Sequence, residues 1–281
     1  MQRGAVFLPS AVVNLDFPAA HEEVLPGVPW GGIDCFPSPA YWAYQVLARR
    51  VHGTQVNYKL GNTLKEEVCA CLLGGHGIPA GVGIDAFEHL KRMGAFTLEV
   101  PTEQTLLGWL SEPIPSEGRL IRYRFARQKA KYLAAALRRL DSEPAPTSSG
   151  RQLRDWLLEV PGIGYKTASW IARNWLDADD VAILDIHILR AGLLGGFFEP
   201  SLTVERDYLK LEEQFLKLSQ GLGVRSSELD ALMWLEMMSS GTTIQALLEY
   251  QPPTQPSADT SISRRSPKKR HTDSGQLSFL G

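Results

Sequence analysis

Lys166 and Asp185, an amine and a carboxylate nineteen positions apart, are the residues of this chain with the most chemistry to offer. An amine becomes a nucleophile once a neighbouring group takes its proton, and a carboxylate beside it stabilises positive charge on the carbon under attack. Lys166 stands two residues past Pro161-Gly162-Ile163-Gly164, a run that predicts a tight turn between two helices. Glycines there let the backbone come close to a ligand, and the helix that follows offers unpaired N–H groups at the positive end of its dipole. That combination suits a phosphate. It would grip a nucleic-acid strand through Gly162, Ile163 and Gly164 without reading bases. A lysine so placed reaches the C1′ of a nucleotide turned out of the stack. Asp185 closes the apolar run Val181-Ala182-Ile183-Leu184 and also suits the N-cap of a helix. His187, two positions on, is placed to donate to a phosphate.

Composition narrows the class. With 281 residues and 44% hydrophobic content, the chain can bury a sizeable core. No apolar run approaches the ~20 residues of a membrane span, and the N-terminus lacks the pattern of a secretory signal. A soluble intracellular protein is expected, in the cytoplasm or nucleoid, or in the nucleus of a eukaryote. The three cysteines, Cys35, Cys69 and Cys71, cannot supply a four-cysteine zinc or iron–sulfur site, so they read as reduced thiols. No redox cofactor or catalytic metal is implied. Net charge is −2, but residues 251–281 carry five cations against two aspartates, a net of +3, which leaves −5 on residues 1–250. Contact with DNA must therefore come from local features rather than a general positive field.

The periodicity predicts an all-α fold. Residues 1–40, rich in Pro and Gly, read as irregular. Helices are expected from Ser38, from Thr63 (where Thr63-Leu64-Lys65-Glu66 resembles a capping box) to Gly74-Gly75, and over 85–93, 104–110 and 125–140. The helix 125–140 is basic and amphipathic, with Tyr132, Leu133, Leu137 and Leu140 on its apolar side. Helices over 152–159 and 165–175 flank the turn, and others follow over 187–194, 203–219 and 226–238. No strand of useful length is predicted. Residues 41–250 thus form a two-lobed helical core, with the helix-hairpin-helix at 152–175, and 251–281 a disordered basic tail.

Residues 153–190 resemble the helix-hairpin-helix DNA glycosylases. Gly164-Tyr165-Lys166-x-Ala168-Ser169, with Val181-Ala182-Ile183-Leu184-Asp185-x-His187-Ile188-Leu189-Arg190, is most similar to the compact second class of 8-oxoguanine DNA glycosylase/lyases. Weaker likeness runs from about residue 60 to 245. The resemblance implies a two-lobed fold with Lys166 as nucleophile, Asp185 as its partner and double-stranded DNA as substrate. It implies base removal followed by strand cleavage through a Schiff base. It also implies a monovalent cation held by hairpin carbonyls. Relatives with an iron–sulfur cluster are excluded by the cysteine count. Trp170, one turn past Lys166, is either a stacking platform for the extruded base or a core tryptophan. Asp230 and Trp234, with Glu228, are further candidates for the base pocket, and the loop Gly75-His76-Gly77 for its approach.

The chain runs some forty residues beyond the region matching Trp234, unlike the compact class. A specialised member acting on another modified base, for instance in anti-phage defence, is one alternative. A non-catalytic DNA-binding adaptor is the other, though it would need neither Lys166 nor Asp185. At the end of the chain Gln276, Leu277, Phe279 and Leu280 resemble a bacterial sliding-clamp peptide on a tether. A monomer is expected.

Overall fold

Side-chain oxygens start several of the helices. In the computed structural model, which describes residues 1–53, 58–75, 77–97, 99–116 and 118–249, Ser38 accepts from the Tyr41 N–H at the head of α1 (Pro39–Val51). Thr63 accepts from Glu66 N–H at α2 (Leu64–Leu73), and Glu66 reaches back to the Asn62 N–H rather than to that of Thr63. Helices α3 (Ala80–Arg92), α4 (Glu103–Ser111) and α5 (Ala126–Ser142) follow. Ser149 caps α6 (Gly150–Leu157), which leads through the glycine turn into α7 (Tyr165–Leu176). Asp185 caps α8 (Ile186–Leu194). Helices α9 (Val204–Leu222), α10 (Ser226–Ser239) and α11 (Gly241–Glu249) complete the order.

The helical expectation holds for the body of the chain, while residues 1–40, expected to be irregular, carry two antiparallel strand pairs. Gln2–Leu8 (β1) and Ala11–Phe17 (β2) form an antiparallel hairpin with Val6 opposite Val13. Long-range partners hold it: the Tyr44 hydroxyl donates to Ala5 C=O, and Gln2 binds Pro18, Gly31 and Ile33 main chain. Glu23–Leu25 (β3) pairs with Val28–Pro29 (β4), and Ile114–Ser116 (β5) with Arg119–Ile121 (β6).

Residues Met1–Leu248 make one unit whose interior divides into two clusters, matching the expected lobes. The first is built by α2 to α7, the second by α1 and α8 to α10 with Phe17 and Trp30. The buried Glu67 of α2 ties the first lobe internally, accepting from the Asn174 amide of α7 and from the N–H groups of Leu60 and Gly61. The chain passes between lobes along the extended run 181–184: Val181 packs in the first cluster, Ala182 and Leu184 in the second. Cys69 and Cys71 are buried free thiols and Cys35 is exposed. His76, the tail 251–281 and the candidate clamp residues Gln276, Leu277, Phe279 and Leu280 lie outside the described residues.

Candidate active site

The site is assembled where the two lobes meet. Lys166 lies in the first turn of α7, and its Nζ donates to Asp185 Oδ2 at 2.9 Å. The lysine side chain is 49% exposed and that of the aspartate 11%. The pair therefore sits at the mouth of the interlobe seam, with the amine facing outward. The other carboxylate oxygen of Asp185 accepts from His187 N–H at 2.8 Å and Ile188 N–H at 3.3 Å, so the helix it caps fixes its orientation. One carboxylate thus closes α8 and holds the amine, as its place at the end of an apolar run predicted.

The glycine turn has the geometry of an anion cradle at one end only. Gly162 takes φ +86°, and a Cβ there would strike the Tyr132 ring of α5. Gly164 is the N-cap of α7 with φ −103°, and a Cβ there would meet open space. The freedom glycine offers is required conformationally at Gly162, while at Gly164 the bare backbone leaves room for a ligand. No side chain caps α7, so its first N–H groups stay available. Ile163 differs from expectation: its side chain packs in the first cluster and its N–H donates to Val160 C=O, so neither is free for DNA.

The candidate pocket residues separate. Trp234 is 41% exposed and meets the His187 ring edge-on, with centroids 6.5 Å apart, beside Asp185. Trp170 is half-buried against the first cluster, one turn beyond Lys166 and next to Gly74. Asp230 does not line the opening. It is buried behind the run 181–184, where its Oδ2 accepts from Ile183 N–H at 3.0 Å and its Oδ1 stands 3.9 Å from the Arg173 guanidinium. Burial pushes its carboxyl up to about 6, against the opposing pull of Arg173 and the Ile183 N–H. Glu228 is engaged with Arg50 of α1. Among the described residues no cluster of His, Cys, Asp and Glu could hold a metal ion. A cation at the hairpin would need main-chain carbonyls; that of Val160 already accepts one N–H and keeps a second lone pair.

Two features of the site go beyond what the sequence placed there. Between Gly118 and Leu140 the sequence has no acidic residue. Arg119 on β6, Arg122 just after it, and Arg127, Lys131 and Arg138 on α5 are exposed cations with no ion-pair partner among the described residues, and Arg124 lies over the Phe125 ring. Tyr132, on the same helix, packs under Gly162, so this positive strip adjoins the turn. The sequence marks helix 125–140 as basic but does not place it beside the turn. The second is a set of buried side chains behind Asp185, for which no local sequence signal exists.

The family model described as 8-oxoguanine DNA glycosylase matches residues 52–224, and the chain belongs to that family. The 8-oxoguanine DNA glycosylase/AP lyase of Methanocaldococcus jannaschii is 30% identical over 174 residues, covering 60% of this chain and 77% of the relative. That of Korarchaeum cryptofilum is 31% identical over 177 residues, covering 61% and 78%. The crystal structure of the 8-oxoguanine DNA glycosylase of Thermotoga maritima aligns with TM-score 0.50 at 24% identity over 70% of this chain and 96% of that one, a likeness of fold.

Proposed function

We propose that this chain removes 8-oxoguanine from duplex DNA and then cleaves the strand at the abasic site it has made. The observation that carries this reading is the 2.9 Å contact between Lys166 Nζ and Asp185 Oδ2 at the head of an uncapped helix. The hairpin N–H groups hold a phosphate of the damaged strand, and the cations of β6 and α5 extend the grip along the backbone. Asp185 takes the ammonium proton and passes it to the departing base, so that it faces the sugar as a carboxylate when positive charge develops there. The C1′–N9 bond breaks with its electron pair leaving on the base, which is protonated as it departs. Lys166 Nζ bonds to C1′, the ring opens to a Schiff base, and loss of a C2′ proton expels the 3′ phosphate. Water then hydrolyses the imine and frees the lysine. Trp234, exposed beside His187, and Trp170, one turn past the amine, are the aromatic surfaces available to a base turned out of the stack.

Borohydride reduces a Schiff base to a stable amine, so it should trap a covalent complex with a duplex containing 8-oxoguanine. Lys166→Gln should abolish trapping and strand cleavage while DNA still binds. Trapping that survives the substitution would remove Lys166 from the mechanism, and a wild-type chain inert on this duplex would remove 8-oxoguanine as substrate.

A further inference from the structure

The run Ala182-Ile183-Leu184 has no strand partner among the described residues, yet Ala182 and Leu184 are buried and its amides are satisfied one after another by side chains. Ala182 N–H donates to Glu212 Oε1 at 3.0 Å, Ile183 N–H to Asp230 at 3.0 Å and Leu184 N–H to the Tyr208 hydroxyl at 3.2 Å. Tyr208 in turn donates to Ala182 C=O at 2.7 Å. Burial pushes its phenol well above the usual range, so this proton stays in place. These groups also reach the other lobe. Glu212 pairs with Arg154 of α6, and the Tyr208 ring stacks on Tyr165, with centroids 5.3 Å apart and planes within 16°. Tyr165 is the residue before Lys166. A break in helical geometry at Asp207, φ −123° and ψ 25°, places Tyr208 at the start of the regular part of α9.

We propose that Tyr208 is a positioning residue for base release: its ring bears on the residue before Lys166 while its hydroxyl holds the backbone leading to Asp185, so that it sets the register of the amine against the carboxylate. Side-chain bonds to an otherwise unpaired run fix it more selectively than a strand partner would, because each amide has its own anchor. The lysine comes from one lobe and the aspartate from the other, so their separation needs a member touching both.

This inference rests on the glycosylase/lyase reading, and the test separates the two. A carboxylate is needed where C1′ becomes cationic as the base leaves. A preformed abasic site is already in equilibrium with an open aldehyde, which a neutral amine attacks without such a cation. Displacing Asp185 therefore slows base release more than cleavage of abasic DNA. In single-turnover assays normalised to the fraction trappable on abasic DNA, Tyr208→Phe should slow release of 8-oxoguanine by about tenfold or more. Cleavage at a preformed abasic site should stay within about threefold of wild type. Asp230→Ala, which frees Ile183 N–H, should give the same split, and Asp230→Asn, which keeps an oxygen for that amide, should restore the wild-type ratio. Equal losses on both substrates, or no loss on either, would overturn the positioning role; should Tyr208→Phe not fold, the Asp230 pair decides by the same criteria. Wild-type chain that acts on neither duplex would instead overturn the glycosylase reading.

Discussion

Helices α7 and α8 begin within hydrogen-bond reach of each other across the site and treat their N-termini in opposite ways. At α8 the unpaired amides are taken by the chain's own Asp185, which spends its remaining oxygen on Lys166. At α7 the cap is Gly164, no side chain is offered, and a Cβ would meet nothing. The two helix dipoles are of the same kind. One is filled internally to orient a reactive group, and the other is left open for an anion from outside. A binding end and an orienting end can thus be built from the same element by the choice of a single N-cap residue.

The comparison breaks most sharply at Asp185. Asparagine can still cap α8 but carries no charge toward Lys166, so Asp185→Asn should slow base release by about 100-fold or more in single-turnover assays, with the dissociation constant for DNA little changed. A variant that releases base at the wild-type rate would reduce Asp185 to a cap.

The orienting side depends on buried charge and should carry a pH signature. The Asp230 carboxyl, pushed up to about 6, binds its proton more tightly in the folded state than in the unfolded one. Its contribution to stability is therefore complete below about pH 4 and lost as the pH rises through about 6, a change of at most about 3 kcal/mol. The unfolding free energy of wild type relative to Asp230→Asn should fall by that order between pH 4 and 7. A difference that stays flat in denaturant titrations would refute it.

The two glycines of the binding end should separate from each other. Gly162→Ala meets both a positive φ and the Tyr132 ring, and should lower stability by about 2 kcal/mol or more, read as a shift in thermal midpoint. Gly164→Ala has room and an ordinary φ, so stability should move by less than about 0.5 kcal/mol. Its added methyl group should nevertheless weaken DNA binding several-fold, since it stands where a phosphate would approach. Unchanged affinity would place the phosphate elsewhere.

What the sequence made legible was local. The caps at Ser38, Thr63 and Asp185 are short-range hydrogen bonds within three residues, and the Gly-x-Gly turn with Lys166 is contiguous. What it hid is long-range. The hairpin β1–β2 buries little beyond Val6 and Phe17 and draws on Tyr44 and Gly31, so its alternation was too faint to read as strands. Pro115, a residue that argues against a strand, sits in a three-residue hairpin strand. Asp230 is a base-pocket candidate by resemblance alone, whereas the amide it serves lies forty-seven residues away. Tyr208 and Glu212 were passed over for the same reason: nothing in their spacing announces which main-chain amides they reach.

The burial of Cys69 and Cys71 bears on the conditions under which the protein must work. Exclusion from water raises both thiols well above the usual range, so almost no thiolate forms. Peroxide reacts with thiolate rather than thiol. These two thiols are therefore slow to react with peroxide, and among the cysteines the exposed Cys35, ahead of α1, is the one open to it.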